Sequence, residues 1–295
     1  MTNTPQPGIY ENVPFDEYIA WEAVSNSALM RAERSMHHFR TQRGGNEETP
    51  AMRLGSLIHC GKLEPLALME RYVVMPPFER TVRRPDGGEY QNPKASAAYK
   101  AEVAEFERQN SGREIVLQAE FDRLIGAVQA LSSNAQAKRY LEGDGPTEVS
   151  FLWQDPLTGV LCKGRADKLN MKEGVVADLK TTDNASDFEW TIKKRRYHRQ
   201  AALYVDGIAA LTGVQLGFAL IVAETNTPYL VRASRMSERT LRAGRLNYQY
   251  FLQQIAECQQ SGVWPGYSDP AEWDLPEGSG ETAMATDAAG NLTSY

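Results

Sequence analysis

The sequence predicts an α/β fold in which helices pack on a central mixed β-sheet. Up to residue 143, apolar residues recur mostly at helical spacing. From residue 146 the pattern changes to strand-like segments, which are TEVSFLWQD, VLCKGRADKLN, VVADLKT, LGFALIVAET and YLVRASRM. A helical pattern separates the third segment from the fourth and another follows the fifth. Strands, helix, strands and helix therefore succeed one another along the chain.

The N-terminal part, residues 1–143, is predicted to be a helical scaffold. Ser25 or Ser27 can cap a first helix, and residues 52–68 and 95–141 continue the helical periodicity. Residues 76–93 include RRPDGGEYQNP, a run of turn residues with little periodicity. Such a composition is typical of a mobile or ligand-ordered loop.

The C-terminal part, residues 144–267, is predicted to form a sheet-containing core. The turns DPLTG and MKEG separate the first three strands, so these strands run antiparallel. One helix over about residues 187–211 leads to the last two strands, and residues 237–260 form a final helix. No linker divides the chain, so residues 1–267 are predicted to be a single domain. Residues 268–295 are predicted to be an acidic, partly disordered tail.

The composition, with 42% hydrophobic and 24% charged residues in 295, is that of an ordinary soluble globular protein. The three cysteines, Cys60, Cys162 and Cys258, are far apart and odd in number, which favours neither a disulfide framework nor a CxxC metal site. No stretch has the composition of an export signal or of a membrane-spanning helix. We therefore expect a cytoplasmic protein without membrane attachment.

The formal net charge of −6 argues against a polyanionic partner, because nucleic-acid binding depends mainly on Lys and Arg. Positive charge is nevertheless concentrated in the run KKRRYHR, which contains Lys193, Lys194, Arg195, Arg196 and Arg199. This run can bind DNA phosphates or form a solvated helix face. The sequence alone leaves both interpretations open.

Two acidic residues and a lysine occupy adjacent predicted strands. Because side chains alternate along a strand, Arg165 and Asp167 share one face of their strand, and Asp178 and Lys180 share one face of the next. Pairing of these strands through the MKEG turn would bring Asp167 near Asp178. Two neighbouring carboxylates favour a cation between them, and Mg²⁺ accepts carboxylate, water and phosphate oxygens as ligands. The pattern predicts a metal site with Lys180 beside it.

The same charged residues could instead be strand-edge charges or a surface ion pair. Asp178, however, directly follows the apolar run VVA, so its strand is predicted to be buried where the charges occur. Buried charges are rarely left without a partner or a purpose, which favours a functional site. Glu148 on the first strand is a further candidate ligand, although alternation does not fix which face it shares.

The motifs GRADKLN, VVADLKT and RQAALY resemble, in this order, the D…DxK…QxxxY pattern of the PD-(D/E)XK nuclease superfamily in its RecB-like branch. The upstream GSLIHCGKLEP is similar to the glycine and histidine motif of that branch, and the match is closest to the RecE-like exonucleases of the exonuclease VIII type. VSNSALMRAERS and SGVWPGY extend the resemblance over roughly residues 10–270. A lone DxK motif would be weak evidence for this superfamily, but several motifs in the same order are specific. The resemblance implies a nuclease-like central mixed sheet flanked by helices.

The resemblance implies that Asp167 and Asp178 bind the catalytic metals, with the main-chain carbonyl of Leu179 as a further ligand. Lys180 would position or activate the attacking water, and His59 would be a ligand from the helical part. A lone histidine on a helix is more often a packed residue, so the assignment of His59 depends on the motif around it.

Gln200 and Tyr204 lie four residues apart, on one face of a helix, so both can reach the sheet. The resemblance implies that they hold the phosphate or Lys180 in place, and ordinary helix packing is the alternative for Tyr204. Arg165 either contacts phosphate or forms a structural ion pair.

The resemblance implies a Mg²⁺-dependent exodeoxyribonuclease, with Mn²⁺ as the alternative ion. It would degrade one strand of double-stranded DNA from 5′ to 3′ and leave a single strand for homologous recombination. The resemblance further implies a ring-shaped homo-oligomer around DNA and a single-strand annealing protein as partner. Some RecB-like nucleases hold an iron–sulfur cluster with four cysteines, and no cluster is expected from the three present here.

Two alternatives remain at this stage. One is an endonuclease or flap-type nuclease, since a fold does not fix its substrate. The other is a DNA-binding module that kept the fold and lost the chemistry. The intact Asp167, Asp178 and Lys180 argue against the second.

Overall fold

The structure is a computed structural model that describes residues 4–42, 48–78, 82–86, 88, 91–270 and 272, and the backbone of residues 284–286 and 292–294. Its main sheet contains β1 (Gly8–Tyr10), β4 (Thr147–Gln154), β5 (Leu161–Asn170), β6 (Val175–Thr182), β7 (Gly217–Glu224) and β8 (Val231–Arg235). The strand order is β1-β4-β5-β6-β7-β8. Helices flank this mixed sheet, so the predicted α/β fold is confirmed.

The N-terminal part is largely helical, as predicted. Its helices are α1 (Phe15–Ala20), α2 (Asn26–Arg34), α3 (Met36–Thr41), α4 (Pro50–Leu63), α5 (Leu68–Arg71), α6 (Ala97–Gln109), α7 (Gln118–Ser133) and α8 (Ala135–Leu141). A 3₁₀ turn, Pro93–Ala95, precedes α6. Of the two predicted caps, Ser25 is the one used, since its hydroxyl accepts a hydrogen bond of 3.2 Å from the Ala28 N–H.

In the C-terminal part, α9 (Phe188–Lys194) and α10 (Tyr197–Thr212) connect β6 to β7, and α11 (Glu238–Ser261) follows β8. The strands β4, β5 and β6 form the predicted antiparallel series. Because two helices intervene, β7 returns parallel to β6, and β8 then pairs antiparallel with β7.

Helices bury both faces of the central strands. Along β6, Val176 faces a core shared with α2, α10 and α11, whereas its neighbours Val175 and Ala177 face a second core shared with α4, α7 and α8. This explains why β6 begins with a continuous apolar run and not an alternating one. The acidic residue that follows this run is consequently placed at the centre of the molecule.

Three features differ from the sequence predictions. The predicted helix over residues 187–211 is broken between α9 and α10, because Arg196 adopts a left-handed conformation (φ +57°) and its guanidinium pairs with Glu33. The short strand β1 joins the main sheet through β4. Within the helical part, β2 (Tyr72–Val74) and β3 (Glu114–Val116) pair in parallel. Strands of three residues are too short to give a periodic signal.

The predicted loop over residues 76–93 lies partly outside the described residues, as does most of the predicted tail. Within that tail, β9 (Met284–Thr286) and β10 (Leu292–Ser294) pair antiparallel. No helix in the described part of the chain combines the length and the apolar character that crossing a membrane requires.

A buried lysine attaches the N-terminal segment to the sheet. The Lys163 ammonium on β5 donates hydrogen bonds to the carbonyls of Tyr18 (2.8 Å), Ile19 (2.9 Å) and Trp21 (2.8 Å). These carbonyls belong to the last turn of α1 and to the residue after it, where a helix leaves acceptors unsatisfied. Lys163 thus adds a charged donor to a buried helix end, where the Trp21 N–H also donates a hydrogen bond of 3.3 Å to the Tyr18 carbonyl.

We expect Lys163→Met to lower the free energy of unfolding by about 2–4 kcal/mol, because the buried carbonyls would lose a charged donor. Urea denaturation measures this, with Lys172→Met, at an exposed position in the β5–β6 turn, as the matched control. Equal stability of the two variants would show that Lys163 is not needed to hold α1 in place.

Candidate active site

The register of β5 and β6 brings two carboxylates together. The last paired residues are Lys168 and Ala177, so Asp167 and Asp178 are the next residues across the strand pair. Beyond this point the Asp167 carboxylate accepts a hydrogen bond of 2.6 Å from the Leu179 N–H. A side chain thus takes the place of the ladder bond, and the two strands separate around the acidic residues. This juxtaposition is the one that the MKEG turn predicted.

Helix α4 brings His59 to the same place. Gly55 lies against β6, where a Cβ atom at this position would be 3.0 Å from Thr181 Oγ1, tighter than an ordinary contact. The missing side chain therefore permits close approach of the helix. One turn later, His59 Nδ1 lies 3.6 Å from Asp167 Oδ2. In the GSLIH motif, the glycine thus allows α4 to approach β6, and this approach places the histidine beside Asp167.

Glu148 joins His59 and Asp167 because of an irregularity in β4. Its backbone has φ +52°, a conformation that is rare for a residue with a side chain and is often found at functional sites. One potential ligand atom from each of His59, Glu148 and Asp167 lies within 4.8 Å of the others. Arg165 Nε donates a hydrogen bond of 2.8 Å to Glu148 and orients it. Strand alternation could not assign Glu148 to a face because Glu148 departs from regular strand geometry.

Asp178 interacts with different partners. Its side chain is buried, with Lys180 Nζ 2.5 Å from one oxygen and Gln200 Nε2 donating a hydrogen bond of 3.0 Å to the other. The Lys180 ammonium also lies 5.0 Å from the centre of the Tyr197 ring, at a distance that allows a cation–π interaction. Gln200 was expected to hold the phosphate or the lysine, and in the structure it holds the aspartate that binds the lysine.

Tyr204 lies beside this group and is almost fully buried. Its hydroxyl accepts a hydrogen bond of 3.4 Å from the Arg165 N–H, and its ring makes an edge-on contact with Phe151 at 5.2 Å. Burial raises its pKa, which keeps the phenol protonated. This position is compatible with both interpretations of Tyr204, as a packing residue and as a residue that orients the site.

The electrostatics of the cluster favour an additional cation. Burial raises the pKa of Asp167 to about 7, and the nearby Asp178 carboxylate contributes to the increase. Burial also raises the pKa of Glu148, where Asp167 adds to the effect. For His59, burial and the Lys180 charge lower the pKa, so the ring is neutral and can offer a lone pair. Burial opposes the charge of Lys180, but Asp178 and Asp167 outweigh it and raise that pKa.

This donor set suits a divalent metal ion. The neutral imidazole can donate a lone pair to a metal ion. The carboxylates repel one another, and a hard cation between them would balance their negative charge. Lys180 pairs with Asp178 and Arg165 pairs with Glu148, and no ion pair with a lysine or arginine is seen for Asp167 among the described residues. The residues present therefore fit a metal at the His59, Glu148 and Asp167 cluster, with Asp178 and the Leu179 backbone adjoining it.

The basic run divides into exposed and structural residues. Lys193, Lys194 and Arg195 are exposed, as DNA binding requires. Arg196 instead pairs with Glu33, and this ion pair competes with phosphate contact. The interpretation of Arg199 as a DNA-binding residue was wrong, because its side chain is fully buried and bonded to Asn26, Glu33 and Asn247.

Arg165 has the structural partners that the sequence left as an alternative. Besides Glu148, its guanidinium donates a hydrogen bond of 2.7 Å to the Val13 carbonyl, and it lies 5.9 Å from the Phe15 ring. The ion pair orients a candidate ligand, so Arg165 affects the site whether or not it contacts phosphate. Sequence reasoning missed Tyr197, whose only signal was its position three residues before Gln200.

A sheet of this topology, with a DxK pair at the point where two central strands separate, defines the class of PD-(D/E)XK nuclease-like folds. The chain belongs to the family described as a PDDEXK-like domain of unknown function (DUF3799), whose model matches residues 25–273.

One solved structure agrees with this assignment at the level of the fold. The chain is similar to the crystal structure of a protein from Eubacterium rectale described as a proposed exonuclease, with a TM-score of 0.54 and 14% sequence identity over 86% of this chain and 88% of that chain. The crystal structure of SSO0001 covers 66% of this chain and 85% of its own at 16% identity, with a TM-score of 0.26 that is too low to support an argument. No curated protein matches the sequence.

Proposed function

We propose that the protein is a Mg²⁺-dependent exodeoxyribonuclease that hydrolyses one strand of double-stranded DNA. The observation that carries this proposal is the meeting of Asp167, Asp178 and Lys180 at a buried gap between two central strands. The PDDEXK-like family supports phosphodiester hydrolysis, and the description of the Eubacterium rectale protein supports exonucleolytic action.

The metal would be held by Asp167, His59 and Glu148, with Asp178 and the Leu179 carbonyl as the other candidate ligands. When bound, a divalent cation supplies a water of lowered pKa and a Lewis acid for the phosphate oxygens. The remaining chemistry belongs to the side chains of the chain itself.

Lys180 is the group that would touch the reacting atoms. Its raised pKa keeps it cationic at neutral pH, and its ammonium has hydrogen atoms to donate beyond its contact with Asp178. It can therefore orient the attacking water and stabilise charge on the phosphate oxygens. Gln200 and Tyr197 fix the position of this ion pair, so they are positioning residues.

The finer features of the proposal rest on the resemblance to RecE-like exonucleases. These are 5′ to 3′ polarity, a ring-shaped homo-oligomer around double-stranded DNA and delivery of the single strand to an annealing protein for recombination. A basic channel inside a ring would reconcile DNA binding with the net charge of −6.

Digestion of linear duplex DNA in Mg²⁺ tests the proposal, with 5′-labelled ends, 3′-labelled ends and closed circles compared in parallel. We expect nucleotides to be released from 5′ ends, with circles left intact and all cleavage stopped by a chelator. Cleavage of circles would indicate an endonuclease on the same fold. An inert protein that still binds DNA would indicate a non-catalytic binding module.

A further inference from the structure

Helix α9 presents a tryptophan to solvent beside the proposed active site. Trp190 is 70% exposed. By contrast, Trp21 and Trp153 are buried, and Trp264 stacks on Phe39 with ring centres 5.8 Å apart. Within the part of the chain that the structure describes, Trp190 is thus the one tryptophan whose ring is left open. Its flat, open indole offers a large surface on which a ligand can stack.

The exposed tryptophan shares its helix face with cations. Lys193 and Lys194 follow Trp190 by three and four residues, so they lie on the same side of α9. Lys193 Nζ lies 5.5 Å from the centre of the indole ring. No ion pair joins Lys193, Lys194 or Arg195 to a carboxylate of the described residues. Glu189 is neutralised by Arg232, which leaves three exposed cations against the exposed carboxylate of Asp187.

The opposite side of α9 is fixed to the site. Phe188 is buried and stacks on Tyr197, with ring centres 6.0 Å apart and planes inclined by 18°. The same Tyr197 ring lies against the Lys180 ammonium at 5.0 Å. Arg232 on β8 also donates a hydrogen bond of 2.7 Å to the Ala185 carbonyl just before the helix. The side chains of Phe188 and Tyr197 thus connect α9 to Lys180, which gives the exposed face of the helix a defined position relative to Lys180.

We infer that the face formed by Trp190, Lys193 and Lys194, together with the exposed Arg195 at the end of the helix, binds a single-stranded segment of DNA, with an unpaired base stacked on the indole. The inference rests on the proposed nuclease function and identifies the form of the strand that the site receives. Flat aromatic rings and a line of cations are the two elements with which proteins hold single strands, since every base has a face to stack and every linkage carries a charge. A duplex offers no base face along its length, so the indole would find its partner only where strands have separated.

Binding to a labelled oligo(dT) and to a blunt duplex of two complementary strands, measured by fluorescence anisotropy in EDTA, tests the inference without cleavage. We expect Trp190→Ala to weaken oligo(dT) binding by about fivefold or more, and Trp190→Phe to retain most of the affinity because a ring remains. The matched control is Tyr250→Ala, which removes a 59% exposed ring from α11 and should leave binding unchanged. Each of Lys193→Ala and Lys194→Ala should reduce the slope of log affinity against log salt by about 0.7.

Unchanged oligo(dT) binding in Trp190→Ala would overturn the inference, as would an equal loss of affinity for the duplex. Failure of the native protein to bind oligo(dT) would also overturn it. Mg²⁺-dependent cleavage is scored separately on the native protein. Cleavage with unaffected Trp190→Ala binding would reject this surface and keep the nuclease, whereas selective loss of oligo(dT) binding in an inert protein would support the surface and reject the nuclease.

Discussion

Replacing Asp178 by asparagine is expected to lower the rate of Mg²⁺-dependent DNA cleavage by about a thousandfold or more. The amide removes the negative charge that pairs with Lys180 and that the proposed metal would need, while it keeps an oxygen for the Gln200 hydrogen bond. The initial rate of release of labelled nucleotides from linear duplex DNA measures the effect.

Asp183→Asn is the matched control, because this carboxylate is exposed just beyond the end of β6. It should retain the native rate. Since Asp178→Asn leaves the buried Lys180 ammonium without its closest partner, the variant should also unfold at a lower temperature. Circular dichroism at the assay temperature separates loss of chemistry from loss of fold. Substantial cleavage by a folded Asp178→Asn protein would exclude Asp178 from the catalytic machinery.

Asp167→Asn, like Asp178→Asn, is expected to lower the rate of DNA cleavage. Unlike Asp178→Asn, it is expected to raise the stability of the metal-free protein. The Asp167 carboxylate has a pKa of about 7 in the folded protein because it is buried near Asp178. Its unfolded value is about 3.9, so the folded state is progressively penalised as pH rises from about 4 to about 7. Without metal, the asparagine variant avoids this penalty and should melt several degrees above the native protein at about pH 8.

The difference in melting temperature should shrink towards about pH 5, where the native carboxyl is largely protonated. Mg²⁺ should raise the melting temperature of the native protein and have little effect on Asp167→Asn, because a ligand stabilises only the state that binds it. Thermal unfolding with EDTA and with Mg²⁺ gives both comparisons. A metal-free variant that is less stable than the native protein at about pH 8 would contradict the proposed repulsion between Asp167 and Asp178.

The central part of the site could be predicted because it follows from local patterns. A short turn between two strand-like segments fixes their pairing, and that pairing places Asp167 opposite Asp178. The apolar run before Asp178 likewise indicated a buried strand, and Asp178 is 1% exposed. His59 was placed by its motif and not by periodicity, because nothing in the spacing of α4 reveals which strand the helix contacts.

The features that could not be predicted depend on backbone irregularity or on distant partners. Glu148 reaches the cluster through a left-handed backbone conformation that strand alternation does not describe. The helix break at Arg196 depends on Glu33, which is 163 residues earlier in the chain. The same glutamate explains why Arg199 is structural: a local run of positive charge does not show which of its members find a carboxylate inside the fold.

The most direct test of the metal site is a crystal structure of the protein soaked in Mn²⁺, with an anomalous difference map. We predict a peak within about 2.0–2.3 Å of an Asp167 oxygen, with His59, Glu148 or Asp178 completing the protein ligands. The peak should disappear in Asp167→Asn crystals. A map without a peak between these residues, recorded from crystals that bind Mn²⁺ elsewhere, would contradict a metal-dependent active site at this position.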